Sequence, residues 1–322
     1  MPQLPRLPID PAAVARQFAR RAPLDAPQFL FGEIAQRMLR RLSYIRLKPH
    51  DILDAGCGAA HALDPLRAQY PDMHYTGQDH CATLLDTARS RYLSKPGFWH
   101  RLRNKPTPQP DFLQADLADT GLPDESLDLV WSNLALHWHP EPHLVLQEWR
   151  RILRNDALAM YSSLGPGSLR ELRDAVQEAG LETQAMEFVD MHDFGDLMLQ
   201  VGFADPVMDQ EVITLTYKTA DKLLQDVQAL GGNPHDQRRP GLAGRDWRKR
   251  LIQALERRRH ADGTLHLSLE VAYGHAWRVA ARRGVFGDLP VTVFKRAQPL
   301  AAGKPPPRVV PRKPDDPPSG TR

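Results

Sequence analysis

Residues 51–60, DILDAGCGAA, decide how the chain reads. A short apolar run carrying Asp54 enters a turn with Gly56 and Gly58, residues that tolerate backbone conformations closed to most side chains and let main chain come close to a ligand. A dinucleotide fingerprint requires a third glycine at a fixed offset, but Gly58 is followed by Ala59, Ala60 and His61. Asp54 is a second departure, because a carboxylate at that strand end repels a pyrophosphate. It suits a ligand with a positive centre.

Outward from this turn, strands alternate with helices. HYTGQD, FLQAD, SLDLVWSNLAL and ALAMYSSL read as strands, and ATLLDTARSRYL, PHLVLQEWRRIL and SLRELRDAVQEAG as helices. Such alternation predicts a doubly wound, mostly parallel α/β sheet covered on both faces. Ligands of such sheets sit at the carboxyl ends of the strands, near the switch in strand order. Before the first strand, AAVARQFARRA and FLFGEIAQRMLRRLSYI have helical periodicity.

The glycine turn gains weight from the acids around it. Asp79 ends the second strand and Asp116 follows the third. A carboxylate in the place of Asp79 can accept both hydroxyls of a ribose, and one at Asp116 can approach an adenine edge. Each acid could alternatively cap the helix after its strand. Taken with the positive centre that Asp54 favours, the set points to S-adenosyl-L-methionine and methyl transfer.

Composition limits the alternatives. The chain has 322 residues and no apolar run of membrane-span length. Its two cysteines, Cys57 and Cys81, make no disulfide framework or metal cluster, which fits a cytoplasmic protein. Residues 49–163 hold 15 acidic and 10 basic residues, whereas residues 231–296 hold 14 basic and 6 acidic. The basic run RRPGLAGRDWRKRLIQALERRR predicts a helix from Asp246, as N-cap, to about Arg259. The lack of interleaved aromatics argues against nucleic acid. Residues 1–11 and the proline-rich 298–322 read as disordered, and 94–110, with Trp99, as a surface loop.

LDAGCGAA, YTGQD, QADLADTGLPDESLDLVWSNLALHW and RRIL resemble the class I S-adenosylmethionine-dependent methyltransferases. SSLGPGSLREL, FGDLMLQVGFADPVMDQEVITLTY and LEVAYGHAW narrow the resemblance to the malonyl-acyl carrier protein O-methyltransferases of biotin synthesis, over about residues 14–295. A mitochondrial complex I assembly factor that hydroxylates an arginine shares overlapping motifs, and a non-catalytic scaffold is a further alternative. The resemblance implies a Rossmann-like domain over 12–297, with N-terminal helices in 12–48, a nucleotide-binding core in 49–180 and a basic helical lid inserted at about 219–262. It also implies a partner, malonyl-acyl carrier protein, whose acidity suits docking on that lid.

The implied cofactor residues are Asp54, Gly56, Gly58, Asp79, Asp116, Leu117 and Asn133. A malonyl carboxylate is ionised at neutral pH, so methylating it needs no general base and no Ser/His/Asp constellation. It needs a cation to hold the acceptor, and Arg20 and Arg173 are the candidates. Asn133, Trp138 and Tyr273 complete the expected acceptor pocket. His137 and His139, without a third ligand nearby, do not make a metal site. The family's turn carries glycine where this chain has Ala60. If that position needs positive φ, an alanine costs about 1 kcal/mol; if it only packs against the sheet, a methyl fits.

Overall fold

A computed structural model describes residues 6–22, 28–93, 108–181, 183–238 and 244–280. The expectations for residues 1–5 and 298–322, for the domain beyond residue 280 and for Trp99 lie outside the described residues, whereas residues 6–11, expected to be disordered, are corrected: Ile9 is buried and bridges His235, and the Asp10 N–H donates to the Pro234 carbonyl. The helix α1 (Pro11–Arg21) starts on Asp10, whose side chain accepts from the Ala12 N–H, with Pro11 in the first turn, where its missing N–H costs nothing. It is followed by α2 (Gln28–Leu42). Then come β1 (Asp51–Ala55), α3 (Leu63–Gln69), β2 (His74–Asp79), α4 (Ala82–Tyr92), β3 (Asp111–Gln114), β4 (Leu127–Asn133), a 3₁₀ turn (Leu136–Trp138), α5 (Pro142–Ile152) and β5 (Leu153–Leu164). The remaining elements are α6 (Arg170–Glu178), α7 (Met191–Gln200), β6 (Ala204–Tyr217), α8 (Ala220–Leu230), α9 (Arg245–Arg257) and β7 (Leu265–Arg278).

The seven strands form one sheet in the order β3-β2-β1-β4-β5-β7-β6. The first five are parallel, and β7 runs antiparallel to both β5 and β6. This is the doubly wound, mostly parallel sheet expected. The strand order reverses between β1 and β4, which opens a crevice at their carboxyl ends. Alternate side chains of β1 feed opposite cores. Ile52 packs in a cluster with Leu30, Ile34 and Met38 of α2. Leu53 packs in a second one with Val145, Leu146 and Trp149 of α5. The two-residue period of a strand thus appears as two separate cores, one per sheet face.

The segment expected to be a lid forms α8 and α9. Its apolar residues Leu223, Leu251 and Leu255 pack with Ala175 of α6 and Leu267 of β7. Helix α9 begins one residue before Asp246. Extended Gly244 (φ −61, ψ 162) is the N-cap, and Asp246 falls in the first turn, so its expected capping role is corrected.

In the turn after β1, Gly56 has φ +76 and Gly58 φ +56. A side chain at Gly56 would put its Cβ 2.2 Å from that of Ala135, so the β1 and β4 turns meet at a distance only glycine allows. Ala60 also has positive φ, +58, and is fully buried. Its strain of about 1–2 kcal/mol is offset by about 0.8 kcal/mol of methyl burial and about 0.5–1 kcal/mol of backbone entropy relative to glycine. In urea denaturation, Ala60→Gly should therefore shift stability by no more than about 1 kcal/mol. Ala60→Val, β-branched at positive φ in a filled site, should lose about 2 kcal/mol or more. A gain above about 2 kcal/mol for Ala60→Gly would mean that the alanine is not compensated by its packing.

Candidate functional site

The crevice holds a cavity of about 740 Å³. Its floor is the turn after β1, with Asp54, Gly56 and Gly58; its sides come from Asp79, Asp116, Leu117 and Asn133; Val14, Ala15 and Phe18 of α1 and Phe31 of α2 cover it. All seven expected cofactor residues line this one space, as does Trp138. Its described lining residues include four carboxylates (Asp54, Asp79, Asp116 and Glu141) against one guanidinium, Arg6. The field inside favours a cationic ligand.

Each acid is held differently. Asp54 is 2 % exposed and accepts a 2.6 Å hydrogen bond from the Tyr75 hydroxyl. Burial pushes its pKa from 3.8 up to about 7; the Tyr75 bond opposes this and the charge of Asp79 adds to it. Asp79 accepts from the Gly58 N–H at 2.9 Å through one oxygen and from the Cys81 N–H at 2.8 Å through the other. Burial raises its pKa as well, while the neighbouring His80 opposes the rise. A carboxylate has about four lone-pair sites, so these bonds do not exhaust its capacity to accept. Asp116 is exposed, lies 3.2 Å from His139 Nε2 and accepts from the Ala118 N–H. The bond from His139 is the main cause of its lowered pKa.

The glycine turn does not offer a cradle of free amides. The Gly56 and Cys57 N–H groups both donate to the Gln78 carbonyl, and that of Gly58 is taken by Asp79. The two glycines therefore serve close approach, and the expectation that their amides face the ligand is corrected.

Of the expected acceptor residues, Asn133 and Trp138 line the cavity, whereas Arg20, Arg173 and Tyr273 are not among its lining residues. Asn133 donates to the Phe31 carbonyl at 3.0 Å and accepts from Ser162 at 2.9 Å, which fastens α2 to β4 and β5. Trp138 meets Phe18 edge-on, with centroids 5.5 Å apart. Arg20 is exposed on α1. Arg173 donates to the carbonyls of Ser168 and Pro166, locking the turn before α6. Tyr273 lies under the Arg41 guanidinium, 3.8 Å from its ring, and so anchors α2. His137 is buried and its pKa is driven down to about 3 by burial.

Sequence reasoning missed Tyr75, Phe18, Phe31 and His80. Tyr75 lies four residues before Asp79 on β2, one strand from Asp54, and strand pairing across the sheet was the signal that could have found it. The helices α8 and α9 contribute no described lining residue, and the cover is α1 and α2 instead. Most α9 cations are already engaged. Arg257 and Arg258 pair with Glu178, Arg258 also with Asp174, Arg259 with Glu256 and Arg248 with Asp221. Arg250 donates to the Ala179 carbonyl. No helix among the described residues is long and apolar enough to cross a membrane.

A family model for a methyltransferase domain matches residues 53–161. The chain is 41% identical over 275 residues to the malonyl-[acyl-carrier protein] O-methyltransferase of Laribacter hongkongensis, covering 85% of this chain and 91% of that one. It is 38% identical to the enzyme of the same name from Nitrosospira multiformis, covering 86% and 92%. In fold it matches a protein of Bacillus halodurans described as a methyltransferase, with a TM-score of 0.51 at 14% identity, covering 76% of this chain and 99% of that one.

The raised pKa of Asp54 has a consequence for stability. The native state holds its proton at pH values where the unfolded chain has lost it, so the stabilising contribution is complete below about pH 4 and fades as pH rises through about 7. In thermal melts of the unliganded protein, the stability of wild type relative to Asp54→Asn should fall from pH 4 to pH 8. Tyr75→Phe, which removes the bond favouring the charged form, should extend that fall to higher pH. Parallel profiles for wild type and Asp54→Asn would contradict this.

Proposed function

Since the chain belongs to the malonyl-[acyl-carrier protein] O-methyltransferase family and is a methyltransferase, we propose that its cavity binds S-adenosyl-L-methionine and directs a methyl group onto the free carboxylate of a malonyl group carried by an acyl carrier protein, the methylation that belongs to biotin synthesis. The observation that carries the reading is the convergence of three acids from three strand ends on a cavity with an acidic lining.

The residues fit that cofactor. Asp54 is a buried carboxylate suited to a positive group. Asp79 keeps acceptor capacity for ribose hydroxyls. Leu117 and Asp116 supply the apolar contact and polar edge that a base requires. The absent Cβ at Gly56 leaves the floor open. When bound, S-adenosyl-L-methionine supplies a methyl group on a positively charged sulfur.

What the chain itself must do is limited. The acceptor carboxylate is already ionised, so no proton has to be removed and no catalytic base is needed. Alignment and exclusion of water are the main requirements. Phe18, Phe31 and Trp138 close the cavity with apolar surface, and Asn133 holds α2 in place above it. The methyl ester has lost the charge of the acid, and so resembles an ordinary acyl chain that an apolar synthase channel accepts. For the carrier, the basic α9 surface offers Arg245 and Lys249, whose side chains are exposed. Docking there would rest on these two rather than on Arg257–Arg259. The comparisons favour neither a hydroxylase nor a non-catalytic scaffold.

Incubation with S-adenosyl-L-methionine and malonyl-carrier protein, followed by intact-mass measurement, should show a gain of one methyl group on the carrier. An acetyl carrier should gain nothing. An unchanged malonyl carrier under conditions where the cofactor binds would overturn the proposed acceptor.

A further inference from the structure

Asp54 and Asp79 are buried, whereas the side chain of Asp116 is 57% exposed, so bonds rather than packing must fix its direction. Two do. The Ala118 N–H reaches Oδ1 at 2.8 Å, and Nε2 of His139 stands 3.2 Å from the same oxygen. Neither of these bonds falls on Oδ2. The first comes from the acid's own loop. The second comes from beyond β4, although β2 and β1 lie between β3 and β4 in the sheet. His139 and Asp116 both line the cavity, so the pair forms part of its wall and joins two loops that follow non-adjacent strands.

His139 is itself well held. It follows the 3₁₀ turn, its N–H donates to the Leu136 carbonyl at 3.2 Å, and its side chain is only 14% exposed. Its Nδ1 accepts the Glu141 N–H at 3.1 Å. An imidazole nitrogen that accepts carries no proton, so the ring proton sits on Nε2, the atom beside Asp116. The next residue is fixed as well, because the Leu7 N–H donates to the Pro140 carbonyl at 2.8 Å. The backbone on both sides therefore sets both the place of this donor and its protonation. The bond it makes is the largest cause of the lowered pKa of Asp116, which keeps that carboxyl an ionised acceptor at neutral pH.

We propose that His139 is a positioning residue for the cofactor: by holding Oδ1 of Asp116 it leaves Oδ2 for the exocyclic amine of the adenine, and so sets the preference for adenine over a purine with oxygen in that place. This inference rests on the proposed binding of S-adenosyl-L-methionine. An amine there donates to Oδ2. A carbonyl oxygen there meets a carboxylate with no proton between them, and the bond is lost. His139 touches neither sulfur nor acceptor in this scheme and acts only through Asp116.

The test is calorimetric titration of the full chain with S-adenosyl-L-homocysteine and with S-inosyl-L-homocysteine, which carries oxygen in place of the amine. Wild type should prefer the adenosyl ligand by about tenfold or more. In His139→Leu the adenosyl affinity should fall about fivefold, the cost of ordering a side chain no longer held in advance. The inosyl affinity should change less than about twofold, so the preference shrinks. His139→Gln, whose side-chain amide can donate to the same oxygen, should recover most of the preference. If both ligands weaken together in His139→Leu, the residue only supports its loop and the proposal is wrong. It is equally wrong if wild type binds both ligands alike, or if His139→Gln behaves as His139→Leu. Wild type that binds neither ligand at millimolar concentration would overturn the cofactor reading, and the proposal with it.

Discussion

The carboxylate of Asp79 holds the site together. Through its two oxygens it fastens the Gly58 N–H of the first turn and the Cys81 N–H that opens α4, while the preceding carbonyl, Gln78, gathers the N–H groups of Gly56 and Cys57. Four main-chain donors from two loops are thereby satisfied at the end of one strand, and the turn is pressed against Ala135 of the next loop. A group placed this way is costly to bury as an ion, and its pKa rises accordingly. The same residue lines the cavity. One side chain thus serves the fold on one side and a ligand on the other.

The cover depends on a different kind of anchoring. Helix α2 is attached by Asn133 to the Phe31 carbonyl, and at its far end by Arg37 to Glu211 and Arg41 to Asp209 and the Tyr273 ring. Helix α1 is attached through Arg21 to the end of α8, and the Asp10 N–H donates to the Pro234 carbonyl. The region after β6 therefore supports the cover from outside. Among the described residues, none of α8 or α9 lines the cavity. Several polar side chains thereby hold the apolar walls formed by Phe18, Phe31 and Trp138 in place around the cavity.

Much of the fold was legible because its signals are local. Alternating strand and helix periods, the glycine turn, and acids at strand ends all show within a few residues, and the residues they single out, Asp54, Asp79, Asp116, Leu117 and Asn133, line one cavity. The errors came from long-range facts. Nothing near Arg257 and Arg258 announces Glu178 and Asp174, which lie some eighty residues earlier, so a set of internal ion pairs read as a free basic surface. Arg20 is exposed on α1 whereas Arg21, one residue on, reaches the carbonyls of Gln228 and Ala229, more than two hundred residues later. The amides of Gly56 and Gly58 looked available because their acceptors, Gln78 and Asp79, belong to another strand. Ala60 could not be resolved either way in sequence, since its φ depends on the turn and its tolerance on the space around the methyl.

Asp79 has to hold a ligand as well as the turn. Calorimetric titration with S-adenosyl-L-homocysteine, the demethylated product, measures this without requiring an acceptor. Wild type should bind one equivalent. Asp79→Asn keeps an oxygen acceptor but loses the charge, and should bind at least about tenfold more weakly while remaining folded, consistent with the loss of hydrogen bonds to a charged group. Undetectable binding by wild type at millimolar ligand, or equal affinity in a folded Asp79→Asn variant, would contradict it.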